Sequence, residues 1–193
     1  MIRIGIINLG INNIKSITNA SKLFGETYLI NKKTDFKTNT NVLILPGNGN
    51  FAEGMKIIIS NNYDDLIKDF VKNNGKLIGI CLGLQLFMDK SDEAKNVSGL
   101  SLIKGSVKKL DDKNIKIPLL GWYNVNFKNK IKPNNFFFNN GFVVKPNEEE
   151  IIYGKIFNKI SAYIVKDNIY GFQFHPEKSG AQGLNLLGSV ICN

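Results

Sequence analysis

Lys76-Leu-Ile-Gly-Ile-Cys-Leu-Gly-Leu-Gln-Leu-Phe-Met88 is the most informative stretch of this chain. Leu77-Ile78-Gly79-Ile80 has the length and β-branching of a buried strand, and Leu84 to Met88 are good helix formers, so Cys81 falls on the turn between strand and helix. Gly-x-Cys-x-Gly in that setting is the cysteine form of a nucleophile elbow. Gly79 lets neighbouring backbone pass close to the turn, and Gly83 keeps the first helical turn from crowding the sulfur. A thiol so placed meets unpaired N–H groups and the positive end of a helix dipole, which favour thiolate and can hold an oxyanion.

The alternative is a buried structural cysteine, a common fate for this residue type. Deciding between them requires a base and an orienting acid elsewhere in the chain. The only histidine, His175, lies in Tyr170-Gly-Phe-Gln-Phe-His-Pro-Glu-Lys-Ser179. Residues 169 to 174 alternate as a strand does, and Pro176 ends that strand beside the histidine, at the end of a sheet where active sites of open α/β sheets lie. Glu177 is near enough to fix the imidazole's tautomer, giving a nucleophile, base and acid in the order Cys81, His175, Glu177. With one histidine and no clustered cysteines, a metal site is the weaker reading.

Composition narrows the class further. A chain of 193 residues with 43% hydrophobic side chains suits one compact domain, and no apolar run approaches the length of a membrane span. The opening Met1-Ile-Arg-Ile-Gly-Ile-Ile reads as a strand and lacks the pattern of a signal peptide. Two cysteines, Cys81 and Cys192, make no disulfide framework, and a reducing cytoplasm is expected. The net charge of +9 is almost wholly lysine, with Arg3 the single arginine, and is dispersed along the chain. That pattern argues against a nucleic-acid surface.

In chain order, residues 2 to 7 read as a strand, Asn8 to Ser16 as a polar turn, and the next segment as a helix to about Phe24 with Gly25 as its stop. Tyr28 to Asn31 and Asn41 to Leu45 read as strands, the second ending in Pro46-Gly-Asn-Gly49, whose backbone N–H groups could face an oxyanion. Tyr63 to Lys72 is an amphipathic helix. Ser91 to Asn96 reads as a charged surface loop, and Lys104 to Lys113 as a solvated hairpin. Ile115 to Asn126, Asn135 to Val144 and Ile160 to Val165 read as strands of a second, partly antiparallel layer, and Gly183 to Val190 as a closing helix.

Gly79-Ile-Cys-Leu-Gly-Leu-Gln85 together with Phe174-His-Pro-Glu177 resembles the signature of the class I, or triad, glutamine amidotransferases, and the likeness runs nearly end to end. Leu45-Pro-Gly-Asn-Gly-Asn-Phe51, Gly121-Trp122 and His175-Pro-Glu-Lys-Ser-Gly180 are similar to the glutaminase subunit of imidazole glycerol phosphate synthase. The resemblance implies an α/β, flavodoxin-like doubly wound sheet with a partly antiparallel extension, forming one amidotransferase domain over residues 1–193. It also implies glutamine as substrate, catalysis by Cys81, His175 and Glu177, and no metal or organic cofactor. Oxyanion and substrate contacts are expected from Gly47, Asn48, Gly49, Leu82, Gly83 and Gln85. A (β/α)8 barrel synthase partner is expected to receive the ammonia in a heterodimer, without nucleic acid or membrane.

The chain departs from the family's pattern at Asn8, Asn12 and Asn48. It departs most at Asn139-Asn140-Gly141, where relatives carry His-Ser-Tyr in a segment that helps hold the amino-acid end of glutamine. Two other readings stay open on these residues: the same glutaminase chemistry serving a different synthase, such as one amidating a sugar, and a non-catalytic binding protein on this fold. A cysteine hydrolase of related fold would have no use for Gly83-Leu-Gln85 or His-Pro-Glu-Lys-Ser.

Overall fold

The computed structural model describes residues 1–11, 14–111, 113, 115–128 and 132–193. Its elements run β1 (Arg3–Ile7), α1 (Ile14–Ser21), β2 (Glu26–Ile30), β3 (Val42–Gly47), α2 (Phe51–Ser60), α3 (Tyr63–Lys72), β4 (Lys76–Cys81) and α4 (Leu82–Gln85). Then come β5 (Lys90–Ser91), β6 (Ala94–Ser98), β7 (Gly105–Lys109), β8 (Leu119–Phe127), β9 (Asn134–Asn140) and β10 (Phe142–Pro146). The chain closes with β11 (Ile152–Ile156), β12 (Ile160–Lys166), β13 (Ile169–Phe172) and α5 (Gly180–Cys192).

One sheet of nine strands has the order β2-β1-β3-β4-β13-β12-β11-β8-β9. Its first five strands are mutually parallel and give the flavodoxin-like winding, while β12, β11, β8 and β9 extend it antiparallel. Side-chain alternation explains why helices cover both faces of the parallel part. Ile4, Ile6, Val42, Ile44, Ile78 and Ile80 point to one side and pack with Ile17 and Ala20 of α1 and with Leu187 and Ile191 of α5. Ile7, Leu43, Leu45 and Leu77 point to the other, where Phe51, Met55 and Ile58 of α2 and Leu66, Ile67 and Phe70 of α3 cover them. Both faces being buried, these strands read as near-continuous apolar runs.

Several expectations are corrected. The helix after Cys81 is a single turn, Leu82–Gln85, and does not reach Met88. Residues 86 to 88 are captured instead by the following loop: Leu86 O accepts from Leu100 N, Phe87 O from Leu102 N and Ile103 N, and Met88 O from Ser101 N. The charged segment at 91 to 96 is no plain loop, because β5 and β6 pair across it. The lysine-rich stretch near 104 is no hairpin either: β7 lies between β5, parallel, and β10, antiparallel. These four strands form a separate sheet in the order β10-β7-β5-β6.

The expected single strand over Asn135 to Val144 is broken at Gly141. Asn140 still pairs with Leu119 in the large sheet, whereas Phe142 pairs with Lys109 in the small one. The strands expected in a second layer, β8, β9 and β12, therefore belong to the main sheet. The first helix ends at Ser21, the closing helix is longer than expected, and α2 and β11 go beyond the sequence reading. Signals for α2 are present: Phe51, Met55 and Ile58 recur at helical spacing, and Asn50 Oδ1 caps the helix by accepting from Glu53 N at 2.8 Å. In the turn after β1, Asn8 Oδ1 accepts from Gly10 N and its amide donates to Asn31. Asn12 lies outside the described residues.

Candidate active site

Parallel pairing of β4 with β13 brings the two sequence motifs together. The register Phe172↔Ile80 leads, one residue on, to Gln173 beside Cys81, and His175 follows at the same carboxyl end of the sheet. Cys81 is 4% exposed and has φ 52° and ψ −108°, a backbone conformation that costs a non-glycine residue on the order of 1–3 kcal/mol. Strain of this kind is what a sharp strand-to-helix turn demands, and it lifts the side chain off the strand end. A methyl at Gly83 would overlap the Leu45 carbonyl oxygen, and one at Gly79 would sit 2.5 Å from the Phe87 ring. The two glycines thus permit close packing of β3 and of Phe87 around the turn, and Gly83 gives way to Leu45 rather than to the sulfur.

The imidazole is fixed from both ends. Its Nδ1 lies 2.9 Å from Glu177 Oε1, with both side chains almost fully buried. The His175 N–H donates to Phe137 O at 2.9 Å, and its carbonyl accepts from Ser179 Oγ at 2.6 Å. Ser179 Oγ in turn accepts from Phe137 N at 2.9 Å, so this one buried hydroxyl ties the histidine turn to β9. A short 3-10 turn over Pro176–Lys178 swings Glu177 back toward the ring. Among the described residues, Nε2 of His175 has no hydrogen-bond partner, and neither has Glu177 Oε2. Burial works to depress the His175 pKa, but the interactions of Cys81 and Glu177 with the ring outweigh it and push it up to about 10. Within hydrogen-bond range of the sulfur are Asn139 O at 3.9 Å and Gln173 Nε2 at 4.0 Å.

A cavity of about 230 Å³ opens against Cys81. It is lined by Cys81, Leu82 and Gln85 from the elbow, Asn48 and Gly49 from the loop after β3, and Pro118 and Glu93. Asn139, Asn140, Gly141 and Phe142 complete the wall. Nearly all of the substrate contacts expected from sequence thus meet here. Gly47 does not; with Ile80, His175, Glu177 and Lys178 it lines a narrow neighbouring crevice that shares Asn48 with the cavity. Gly83 is packed beneath the elbow. Gln85 Nε2 donates to Phe142 O at 2.9 Å, holding the wall to the elbow. Asn140 Nδ2 donates to the same carbonyl at 2.9 Å, while its Oδ1 is buried without a partner among the described residues. A larger cavity, about 540 Å³, lies beside Phe36, Phe70 and Gly75 at the end of the sheet where β4 begins, away from the thiol.

Glu93, Pro118, Phe142 and Gln173 are site residues that the sequence reading missed. Glu93 was hidden in an apparently solvated charge run; its Oε2 accepts from Phe51 N at 2.7 Å, and this pins the carboxylate over the cavity. Gln173 carried one signal, a polar residue at an inward position between Phe172 and Phe174.

The class-I glutamine amidotransferase profile matches residues 6–188. Among individual proteins, the chain is 32% identical to the imidazole glycerol phosphate synthase subunit HisH of Geobacillus thermodenitrificans, over 99% of this chain and 96% of that one. It is 36% identical to the HisH of Caldanaerobacter subterraneus subsp. tengcongensis, over 95% of each chain. With the HisH of Thermotoga maritima the identity is 35%, over 98% and 96%. A crystal structure of a glutamine amidotransferase superposes with a TM-score of 0.80 at 16% identity, covering 97% of this chain and 98% of that one. PurLQS from Thermotoga maritima gives 0.76, also at 16%, covering 98% and 97%. At such identities the structures speak to the fold, and the fold and the full-length relatives agree: the chain belongs to the class-I glutamine amidotransferase family, in the branch of the imidazole glycerol phosphate synthase HisH subunits.

Proposed function

We propose that this protein is the glutaminase subunit of an imidazole glycerol phosphate synthase, hydrolysing glutamine to glutamate and ammonia for histidine biosynthesis. The observation that carries the proposal is the convergence of Cys81, the Glu177-oriented His175 and a small cavity at the end of two adjacent strands, in a chain matching HisH subunits over nearly its whole length.

In this reading His175 Nε2 already holds the proton of the Cys81 thiol, and Cys81 Sγ, as thiolate, attacks the side-chain amide to form a tetrahedral oxyanion. Backbone N–H groups of Leu82 and of Asn48 or Gly49 stabilise that oxyanion. His175 returns the proton to the departing ammonia, then activates the water that cleaves the thioester to glutamate. Glu177 keeps the ring aligned and offsets its positive charge throughout. The cavity leaves room for the amino-acid end of glutamine between Gln85, Glu93 and the Asn139–Gly141 segment. Glu93 supplies negative charge opposite an ammonium group, and the N–H groups of the segment can meet a carboxylate. The whole chain works as one domain, with no cofactor.

Ammonia at neutral pH is mostly protonated and a poor nucleophile, so its use requires direct delivery to a second subunit, here a (β/α)8 barrel synthase in a heterodimer. Leu120 and Trp122, two apart on β8 and hence on one face, are 63% and 54% exposed. Trp122 stacks edge-on against Phe137, whose carbonyl holds His175, so this apolar face borders the site and suits a partner. No helix of the described residues is long and apolar enough to cross a membrane.

The test is glutamate release from glutamine with and without the barrel subunit. Partner-dependent release coupled to imidazole glycerol phosphate formation supports the proposal. Release that couples only to a different acceptor synthase moves the chain to the sugar-amidation reading, and silence with every partner leaves a binding protein.

A further inference from the structure

Gln173 is fully buried, and a primary amide taken out of water is costly unless both its polar ends find partners. Its partners form a directed chain. Phe142 O can only accept, so the amide end that Gln85 presents to it at 2.9 Å must be the NH₂. The same Gln85 nitrogen lies 3.5 Å from Gln173 Oε1, which therefore accepts, and this turns the Gln173 NH₂ toward Cys81 Sγ at 4.0 Å. Asn139 O, 3.9 Å from the sulfur on the cavity side, is an acceptor that only a protonated thiol can use. The sulfur thus sits between one group that suits S–H and one that suits S⁻. The main-chain bond from Gln173 N to Ala162 O, at 2.9 Å, fixes the backbone from which this side chain projects.

We propose that Gln173 is a positioning residue for the glutaminase reaction: its amide donates to the Cys81 sulfur in the thiolate state, and through Gln85 and the Phe142 carbonyl it couples the sulfur to the wall of the substrate cavity. The inference rests on Cys81 being the nucleophile. Long donor–acceptor distances in an empty site are expected to shorten once substrate closes the cavity. Since Gln85 bonds both the wall and Gln173, a ligand that moves the wall changes the donor available to the sulfur.

The test is the pH dependence of iodoacetamide alkylation of Cys81 in the full-length chain, with Cys192→Ser to silence the exposed second thiol. Gln173→Leu and Gln173→Met remove the donor at similar volume and add no charge. The inference expects the alkylation midpoint to rise by about one pH unit in both variants, slowing alkylation roughly tenfold at pH values below it. Unchanged midpoints in folded variants overturn it. On the unsubstituted chain, the Gln173 side-chain amide resonance must move with the same midpoint as the alkylation rate, and a resonance that stays still overturns the inference even where a variant fails to fold. Loss of the nucleophile reading would show separately, as glutamate release that survives Cys81→Ala.

Discussion

The two sides of the cavity are built in different ways. The nucleophile side is made by adjacent parallel strands, β4 and β13, whose ends carry Cys81 and His175 with little intervening geometry. The opposite wall is assembled from the β5–β6 hairpin, the loop before β8 and the Gly141 break between β9 and β10, and the last of these crosses from one sheet to the other. On the proposed mechanism, chemistry is concentrated on the first side and substrate recognition on the second. Damage to the first should therefore abolish turnover, while damage to the second should only weaken binding.

The largest effect expected is from Cys81→Ala, which should lower partner-stimulated glutamate release by roughly ten-thousandfold or more in kcat while thermal unfolding changes little. Next comes Glu177→Gln, with kcat down roughly a hundredfold because the imidazolium loses its counter-charge. The same variant should lower the His175 pKa from its raised value, which NMR can follow without ambiguity on the only histidine of the chain. The sign for stability follows: a raised histidine stabilises the fold fully below its ordinary value of 6.5 and loses that contribution as pH rises toward about 10. Glu177→Gln should therefore flatten the fall in stability over that alkaline window, as read by denaturant titrations at several pH values.

Ser179→Ala should cost about 1–2 kcal/mol by leaving Phe137 N–H unpaired, while His175 C=O keeps the Lys178 N–H, and so should lower Tm by roughly 2–8 °C. The smallest effect is expected on the far wall. Glu93→Gln should raise KM for glutamine about three- to tenfold with kcat nearly unchanged, because the carboxylate is partly solvated and its charge is screened. A kcat loss in Glu93→Gln matching that of Glu177→Gln would erase the distinction between the two sides.

The same contrast explains what could be read from the sequence. The elbow, the histidine turn and the parallel half of the fold rest on local patterns: an apolar run, glycines flanking a cysteine, a proline ending a strand. Ser179 belonged to a recognisable motif, but its job, bridging His175 to Phe137, depends on β9 arriving from 42 residues away. Glu93 looked like one charge among several because the main-chain N–H that holds it belongs to Phe51, also 42 residues distant. The wall strands differ from their local sequence pattern for a related reason. Gly141 redirects pairing only because β7 stands ready to receive β10, and nothing local to Asn135–Val144 announces that. Asn139-Asn140-Gly141 was found as a departure from relatives, yet the unpartnered Asn140 Oδ1 appears only in three dimensions.

The most direct measurement uses a glutamine analogue bearing an electrophilic diazoketone in place of the amide, followed by peptide mass spectrometry. The account predicts one covalent adduct, on Cys81, formed faster with the barrel partner present and suppressed by excess glutamine. An adduct on Cys192, or no glutamine-protected adduct on Cys81, would contradict it.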